Sequence, residues 1–339
     1  MYIWALSQCG VSSATGLFVL ATKVTQRTTG PFFYSIFWRE DIETMKKNNS
    51  FLSAAIGAGS DAGAVFGFKK RKNIESGMRV PPTNLEKELV KRMPDMISFD
   101  RFQLVVQPVV ALENGEIVGG EVLSRLNHLE QGVLFPDKFL PAIEEAGLYP
   151  KFDHYIFRKT CQLMRYLLDQ GVVLQYLSCN FSRKTLSEME VAPRFSQIAD
   201  SFGISHEGLA VEITERESET DHEQFCQNLR QLKEAGFRIF VDDLGAGVTS
   251  VRELWSYPVD VVKIDRSLLL AAEDEQGSSV YRGLRNLAVD LGCKVLCEGV
   301  ETEAQHRFVL DVGCHYGQGF LFYRPMEADR FLSLMGGKG

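Results

Sequence analysis

Seven apolar runs along the chain end in a polar group: Glu121, Asn180, Glu212, the pair Asp242 and Asp243, Lys263, Glu298 and Gln318. Five of these residues are carboxylates, and Asn180 adds a carboxamide oxygen. If one fold gathers them, partly buried anions at that density are costly unless cations neutralise them. All-oxygen ligands select hard divalent ions such as Mg²⁺ or Mn²⁺ over zinc, and no His or Cys stands at these run ends in a ligand role. Four or five carboxylates suffice for two ions, one of them bridging. That set suits in-line phosphoryl displacement, in which paired metals clamp the attacking and leaving oxygens and lower the pKa of bound water.

Lys263 has three readings. A Schiff base needs a lowered pKa, which acidic neighbours oppose. A plain salt bridge is the second. An ammonium that holds an attacking water or stabilises phosphoryl charge fits the set best. The stretch "FRIFVDDLGAG" (237–247) poses a geometric problem, because neighbouring side chains on a strand face opposite ways. For Asp242 and Asp243 to serve one site, the pleat is expected to end at them, with Gly245 and Gly247 freeing the turn.

The elements that carry these groups alternate. Strand-like runs are "FQLVVQPVVAL", "EIVGGEVLSRL", "LQYLSCNFS", "LAVEITE", "RIFVDD", "VDVVKID", "KVLCEGVE" and "YGQGFLF". Helical segments are predicted at 136–146, 152–169, 183–202, 222–235, 279–291 and 303–312. This alternation implies βα units and a mainly parallel sheet. Eight strands over some 250 residues suit an α/β fold of the closed (β/α)₈, TIM-like class, with its site at the C-terminal strand ends. Only "ENG" joins the first two runs, too short for a crossover helix, so that pair is expected to be antiparallel.

Residues 1–80 resist organisation. They hold aromatic clusters, a Gly/Ala-rich tract and the basic run "KKRK" (69–72), which reads as solvated surface. Thr83 and Glu86 have capping-box spacing for a helix that opens the second part. The chain therefore divides into an unassigned N-terminal region, 1–80, and a barrel domain, 81–339. A net charge of −7 argues against a nucleic-acid polymer as partner. No apolar run reaches the length of a membrane span. Seven scattered cysteines show no disulfide or zinc spacing, which points to a reducing cytoplasm.

From about residue 84 to 336 the chain resembles the EAL-domain family of cyclic-di-GMP phosphodiesterases. The blocks are "QPVV", "GGEVLSRL", "FPDKFLPAIEEAGL", "CNFS", "VEITERE", "VDDLGAG", "VDVVKIDRSLL", "CEGVETEAQ" and "GQGFLFYRP", in the family's order. The resemblance implies two divalent cations, Mg²⁺ or Mn²⁺. It gives Glu121, Asn180, Glu212 and Asp242 to the first. It makes Asp242 the bridge to the second, with Asp243 and Glu298 as further ligands. Glu298 is alternatively the general base. Lys263 would contact the attacking water and Gln318 would help to position it. Arg125 would pair with a substrate phosphate, beside Glu121 and Leu123. Glu215 would anchor the loop after the aspartate pair. Cyclic di-GMP is the implied substrate, linear pGpG the product, and a homodimer through the barrel the implied assembly.

Departures from the family pattern are small. Val122 replaces an alanine, and Leu126 stands where tryptophan is frequent, which bears on stacking against the guanine. Leu244, Ala246 and Val248 replace phenylalanine, threonine and tyrosine in the loop. Two rivals stand beside hydrolysis: a silent barrel acting as a cyclic-di-GMP sensor or docking module, and a lyase using Lys263 covalently.

Overall fold

The computed structural model describes residues 2–3, 18–23, 33–37, 84–214, 222–245 and 251–336. The chain divides into two compact units, Met1–Pro81 and Pro82–Gly339. In the first, β1 (Tyr2–Ile3), β2 (Phe18–Lys23) and β3 (Phe33–Phe37) form an antiparallel sheet in that order. Thr83 lies outside the described residues, so its capping role does too.

The second unit opens with α1 (Asn84–Ser98) and the strands β4 (Phe102–Ala111) and β5 (Ile117–His128). The short link between them makes the expected hairpin: Gly115 takes a φ of 75°, and the Ala111 amide donates to the Glu116 carbonyl at 2.8 Å. β6 (Gly132–Leu134) extends the β5 edge. There follow α2 (Pro136–Glu145), α3 (Tyr149–Asp169), β7 (Tyr176–Phe181), α4 (Arg183–Leu186), α5 (Val191–Ser201) and β8 (Leu209–Ile213). The chain continues through α6 (His222–Glu234), β9 (Arg238–Leu244), α7 (Val251–Ser256), β10 (Val261–Ile264), α8 (Arg266–Ala271) and α9 (Glu275–Asp290). It ends with β11 (Lys294–Cys297), α10 (Glu303–Val312), β12 (Tyr316–Gly317), β13 (Met326–Glu327) and α11 (Ala328–Leu334).

β5, β7, β8, β9, β10, β11 and β12 run parallel in that spatial order. β4 pairs antiparallel with both β5 and β12 and so closes an eight-stranded barrel. The predicted irregular (β/α)₈ fold is what forms, with the inversion confined to β4.

The pleat sorts each strand into two faces. Outward residues such as Val122, Val211, Val241, Val262 and Cys297 join the large core between barrel and helices. Inside the barrel a second cluster takes one residue from every strand: Val109, Val118, Tyr176, Ala210, Phe240, Val261, Leu296 and Tyr316. This layer plugs the barrel, so whatever lies two residues further towards the mouth sits on an apolar floor.

Two predicted elements differ. The helix expected over 183–202 breaks into α4 and α5, because Glu190 adopts a left-handed φ of 62°. The buried Asn228 amide stabilises the break by donating to the Leu186 and Glu188 carbonyls, both at 2.8 Å. The strand expected over "YGQGFLF" stops at Gly317 and turns, with the Leu321 amide donating to the Val300 carbonyl at 3.0 Å.

Asp153 on α3 ties that helix to the end of β7. One of its oxygens, Oδ2, accepts from the Ser182 amide and hydroxyl, both at 2.9 Å, and from the Thr185 hydroxyl at 2.5 Å. Burial nevertheless pushes its carboxyl up from 3.8 to about 6, against those hydrogen bonds. The folded state therefore binds the proton more tightly than the unfolded chain, and stability falls as pH rises through that window. A shift of this size corresponds to about 3 kcal/mol. Asp153→Asn is expected to remove most of that slope in urea denaturation across the window; an unchanged slope would contradict the assignment.

Candidate active site

The floor layer fixes where the functional groups stand. Two residues beyond it come Glu212 on β8, Asp242 on β9, Lys263 on β10, Glu298 after β11 and Gln318 after β12. Asn180 follows two pleats beyond Tyr176 on β7, and Glu121 stands on β5 opposite Gln107 of β4. Every strand thus sends a polar side chain to one mouth.

Lys263 is the centre of the cluster and is 1% exposed. Its ammonium lies 2.5 Å from Glu212 Oε1, 2.7 Å from Glu298 Oε1, 3.1 Å from Asp242 Oδ1 and 3.3 Å from Glu121 Oε2. Glu121 also accepts from Asn180 Nδ2 at 2.9 Å and from Gln318 Nε2 at 2.8 Å. With four carboxylates around one ammonium, the charges do not balance by themselves, and protons redistribute accordingly.

Burial raises Glu121, but the Lys263 ammonium and the hydrogen bonds from Gln318 and Asn180 outweigh it and hold the carboxyl below its usual range. Glu212 goes the other way: burial, then the Glu121 carboxylate, push it well above the carboxylate range despite Lys263. Glu298 is pushed up to about 8, by burial first and then by Asp242 and Glu121, against Lys263. Burial alone would lower Lys263, yet Asp242, Glu121, Glu212 and Glu298 together raise it well above its ordinary value. It is an ammonium, not a free amine, and Schiff-base chemistry has no nucleophile here.

Asp242 and Asp243 reach one site by a route other than the expected one. The strand does not end at them. β9 continues to Leu244, but between its pairings Val262↔Val241 and Ile264↔Leu244 it carries one residue more than β10. That extra residue makes a β-bulge. Asp243 has a φ of 53°, which its short polar side chain tolerates. Its amide donates to Asp242 Oδ1 at 3.0 Å. Gly245 seals the bulge: its φ is 96°, and a Cβ there would lie 2.2 Å from Leu268 Cδ1. As a result, one carboxylate oxygen each from Asp242, Asp243 and Glu298 lie within 4.8 Å of one another.

The residues present fit hard divalent cations. The donors are all oxygen, those of Asp242, Asp243 and Glu298 converge, and among the described residues Glu212 Oε2 and Gln318 Oε1 are buried without a hydrogen-bond partner.

Gln107 is the residue that reading the run ends missed. Its Oε1 accepts from Gln318 Nε2 at 3.1 Å, and its own Nε2 donates to the Tyr323 carbonyl at 3.2 Å. Gln318 therefore spends its amide nitrogen on Gln107 and Glu121, which leaves its Oε1 without a partner among the described residues. Because β4 runs antiparallel, its site residue precedes Val109 instead of following the apolar run.

Leu123 and Arg125 follow Glu121 at alternate positions of β5 and share its face. Arg125 stacks on Phe135, with its guanidinium carbon 4.7 Å from the ring centroid. Leu126 is fully buried in the core on the opposite face, so it does not stack on a ligand, contrary to the sequence-based expectation. Val122 and Leu244 are also core residues. Glu215, Ala246, Gly247 and Val248 lie outside the described residues.

Fold and mouth together define a (β/α)₈ barrel with a carboxylate-lined mouth. A family model described as "EAL domain" matches residues 90–325. The chain belongs to the EAL-domain family. It is 33% identical over 241 residues to MucR of Pseudomonas aeruginosa, named a bifunctional diguanylate cyclase/cyclic di-GMP phosphodiesterase, covering 70% of this chain and 35% of that protein. It is 32% identical over 237 residues to the cyclic di-GMP phosphodiesterase RocR of the same organism, covering 70% of this chain and 60% of RocR. The solved phosphodiesterase of MucR in complex with cyclic di-GMP superposes with a TM-score of 0.67 at 30% identity, covering 72% of this chain and 99% of that one. The chain spans about a third of MucR and three-fifths of RocR. Among the described residues, no helix is long and apolar enough to cross a membrane.

Proposed function

We infer that this chain hydrolyses cyclic di-GMP to linear pGpG in a reaction dependent on divalent cations. The observation that carries the reading is the convergence of Glu121, Glu212, Asp242 and Glu298 on Lys263, with Asp243 beside Asp242. Glu121, Asn180, Glu212 and Asp242 would hold one cation, and Asp242, Asp243 and Glu298 a second, either Mg²⁺ or Mn²⁺. When bound, such ions neutralise phosphoryl charge and acidify water.

The chain's own groups supply the rest. Arg125 takes a phosphodiester oxygen of the substrate through its guanidinium fork, beside Glu121 and Leu123. Lys263 and Oε1 of Gln318 hold the attacking water. Glu298 is alternatively the general base, which as a carboxylate takes the proton of the attacking water instead of serving as a ligand. The P–O3′ bond breaks in line, the 3′-oxygen takes a proton, and the water oxygen stays on the 5′-phosphate. Glu215 anchors the loop after the aspartate pair in this reading.

Asp242 serves both cations and Asp243 one, so their variants should differ. Asp242→Asn is expected to abolish detectable binding at both sites in Mn²⁺ titration calorimetry, whereas Asp243→Asn keeps one equivalent. Equal stoichiometries would contradict the bridging role. Turnover of cyclic di-GMP with and without chelator tests the function itself: pGpG should form only with Mg²⁺ or Mn²⁺. Binding without product in either metal would instead favour a sensor.

A homodimer through the barrel belongs to this reading. It is supported by Trp255, 74% exposed on α7 just beyond the aspartate loop, and light scattering tests it. A cytoplasmic setting goes with the six described cysteines, none of which is in a disulfide among the described residues. Residues 1–80 would form a separate input or linking region ahead of the barrel domain, 81–339.

A further inference from the structure

Phe135 occupies an unusual place. It stands at the N-cap of α2, with Pro136 as the first helical residue, and makes no side-chain capping hydrogen bond. Ser, Thr, Asp and Asn satisfy the free N–H groups of a helix start, and an apolar residue forgoes that stabilisation. Burial does not offset the loss, because the residue is 54% exposed. Its ring does meet the Arg125 guanidinium, 4.7 Å from centroid to carbon.

Arg125 lines an open cavity of about 400 Å³ with Gln103, Val133, Met326, Glu327 and Arg330. Partial burial lowers its pKa, and the Glu121 carboxylate opposes that shift. The side chain donates to the Ser124 carbonyl at 2.8 Å and makes no ion pair among the described residues. A long cation beside a mouth crowded with carboxylates would be drawn into it. An aromatic face restrains a guanidinium without neutralising it, so the charge stays available to an anion.

We propose that Phe135 is a positioning residue for Arg125: its ring holds the guanidinium at the cavity wall, unpaired, where a phosphodiester oxygen of the cyclic dinucleotide meets it. The inference rests on the phosphodiesterase reading. It also accounts for an exposed aromatic at a position where helix stability favours a small polar residue, a cost to stability accepted for function.

Four variants test it: Phe135→Ser, Phe135→Trp, Arg125→Ala, and Arg125→Ala combined with Phe135→Ser. Serine supplies the missing cap, so Phe135→Ser should leave Tm unchanged or raise it. Its KM for cyclic di-GMP should rise roughly three- to tenfold, with kcat within about twofold. Phe135→Trp should stay near the wild-type KM. In the Arg125→Ala background the serine substitution should add nothing to KM. An unchanged KM in Phe135→Ser overturns the clamp. So does an equal rise without Arg125, or a rise accompanied by a fall in Tm. A wild type that neither binds nor hydrolyses cyclic di-GMP overturns the functional reading together with the clamp. One that hydrolyses it normally, with Phe135→Ser unaffected, overturns the clamp alone.

Discussion

Lys263→Met is expected to lose turnover by about 10²- to 10³-fold and, in chelator, to lose roughly 3–5 kcal/mol of stability. The methionine preserves the stem's volume, so the change isolates the charge. Without the ammonium, the Glu121, Glu212, Asp242 and Glu298 carboxylates face one another with no cation among the described side chains at 2.5–3.3 Å. The carboxyls of Glu212 and Glu298, already raised by burial, lose the ammonium that opposes the shift and rise further. A raised carboxyl costs stability above its unfolded pKa, so acidification should restore part of the loss. Mg²⁺ or Mn²⁺ should also raise the variant's Tm by more than it raises the wild type's, because the ion replaces the missing charge. Thermal unfolding with and without chelator checks this directly. Wild-type stability in chelator would mean that Lys263 does not hold the cluster together.

Glu121→Gln should separate catalysis from stability in the opposite sense. The substitution removes one of the carboxylates crowding the mouth, and the Glu121 charge is itself a cause of the raised pKa of Glu212. The amide keeps an oxygen for Lys263 and Gln318, and Asn180 can turn its own amide to match. Stability in chelator is therefore expected to stay within about 1 kcal/mol of wild type or to increase. Turnover should fall at least 10³-fold, since the anionic ligand is lost. Initial rates and Tm on one preparation read both effects. Residual activity within tenfold of wild type would remove Glu121 from the machinery.

Much of this site was legible in the sequence for a physical reason. In a closed barrel the strand period of two stacks an apolar floor under the polar mouth. Ala210 and Glu212, Phe240 and Asp242, Val261 and Lys263, Leu296 and Glu298, and Tyr316 and Gln318 all follow that spacing. The same rule hid Gln107, because β4 is inverted and its polar residue comes before the floor residue Val109. The short link after β4 announced the inversion, but its consequence for residue order needed the register Gln107↔Glu121. The bulge at Asp243 was illegible: alternation predicts opposite faces, and only the pairing with β10 exposes the extra residue. Leu126 was misread because the family pattern set it against a tryptophan and so against the guanine, whereas the pleat turns it away from Arg125 into the core. Phe135 opens the block "FPDKFLPAIEEAGL", but the block does not announce its contact with Arg125 ten residues earlier, which requires the β5–β6 hairpin to bring them together.

The most direct test of the account is hydrolysis of cyclic di-GMP by the purified chain with Mn²⁺ in ¹⁸O-labelled water, followed by mass spectrometry of the product. In-line attack by water predicts pGpG carrying one heavy oxygen on its 5′-phosphate, and no product in chelator. Bound but uncleaved dinucleotide, or pGpG without the label, would contradict it.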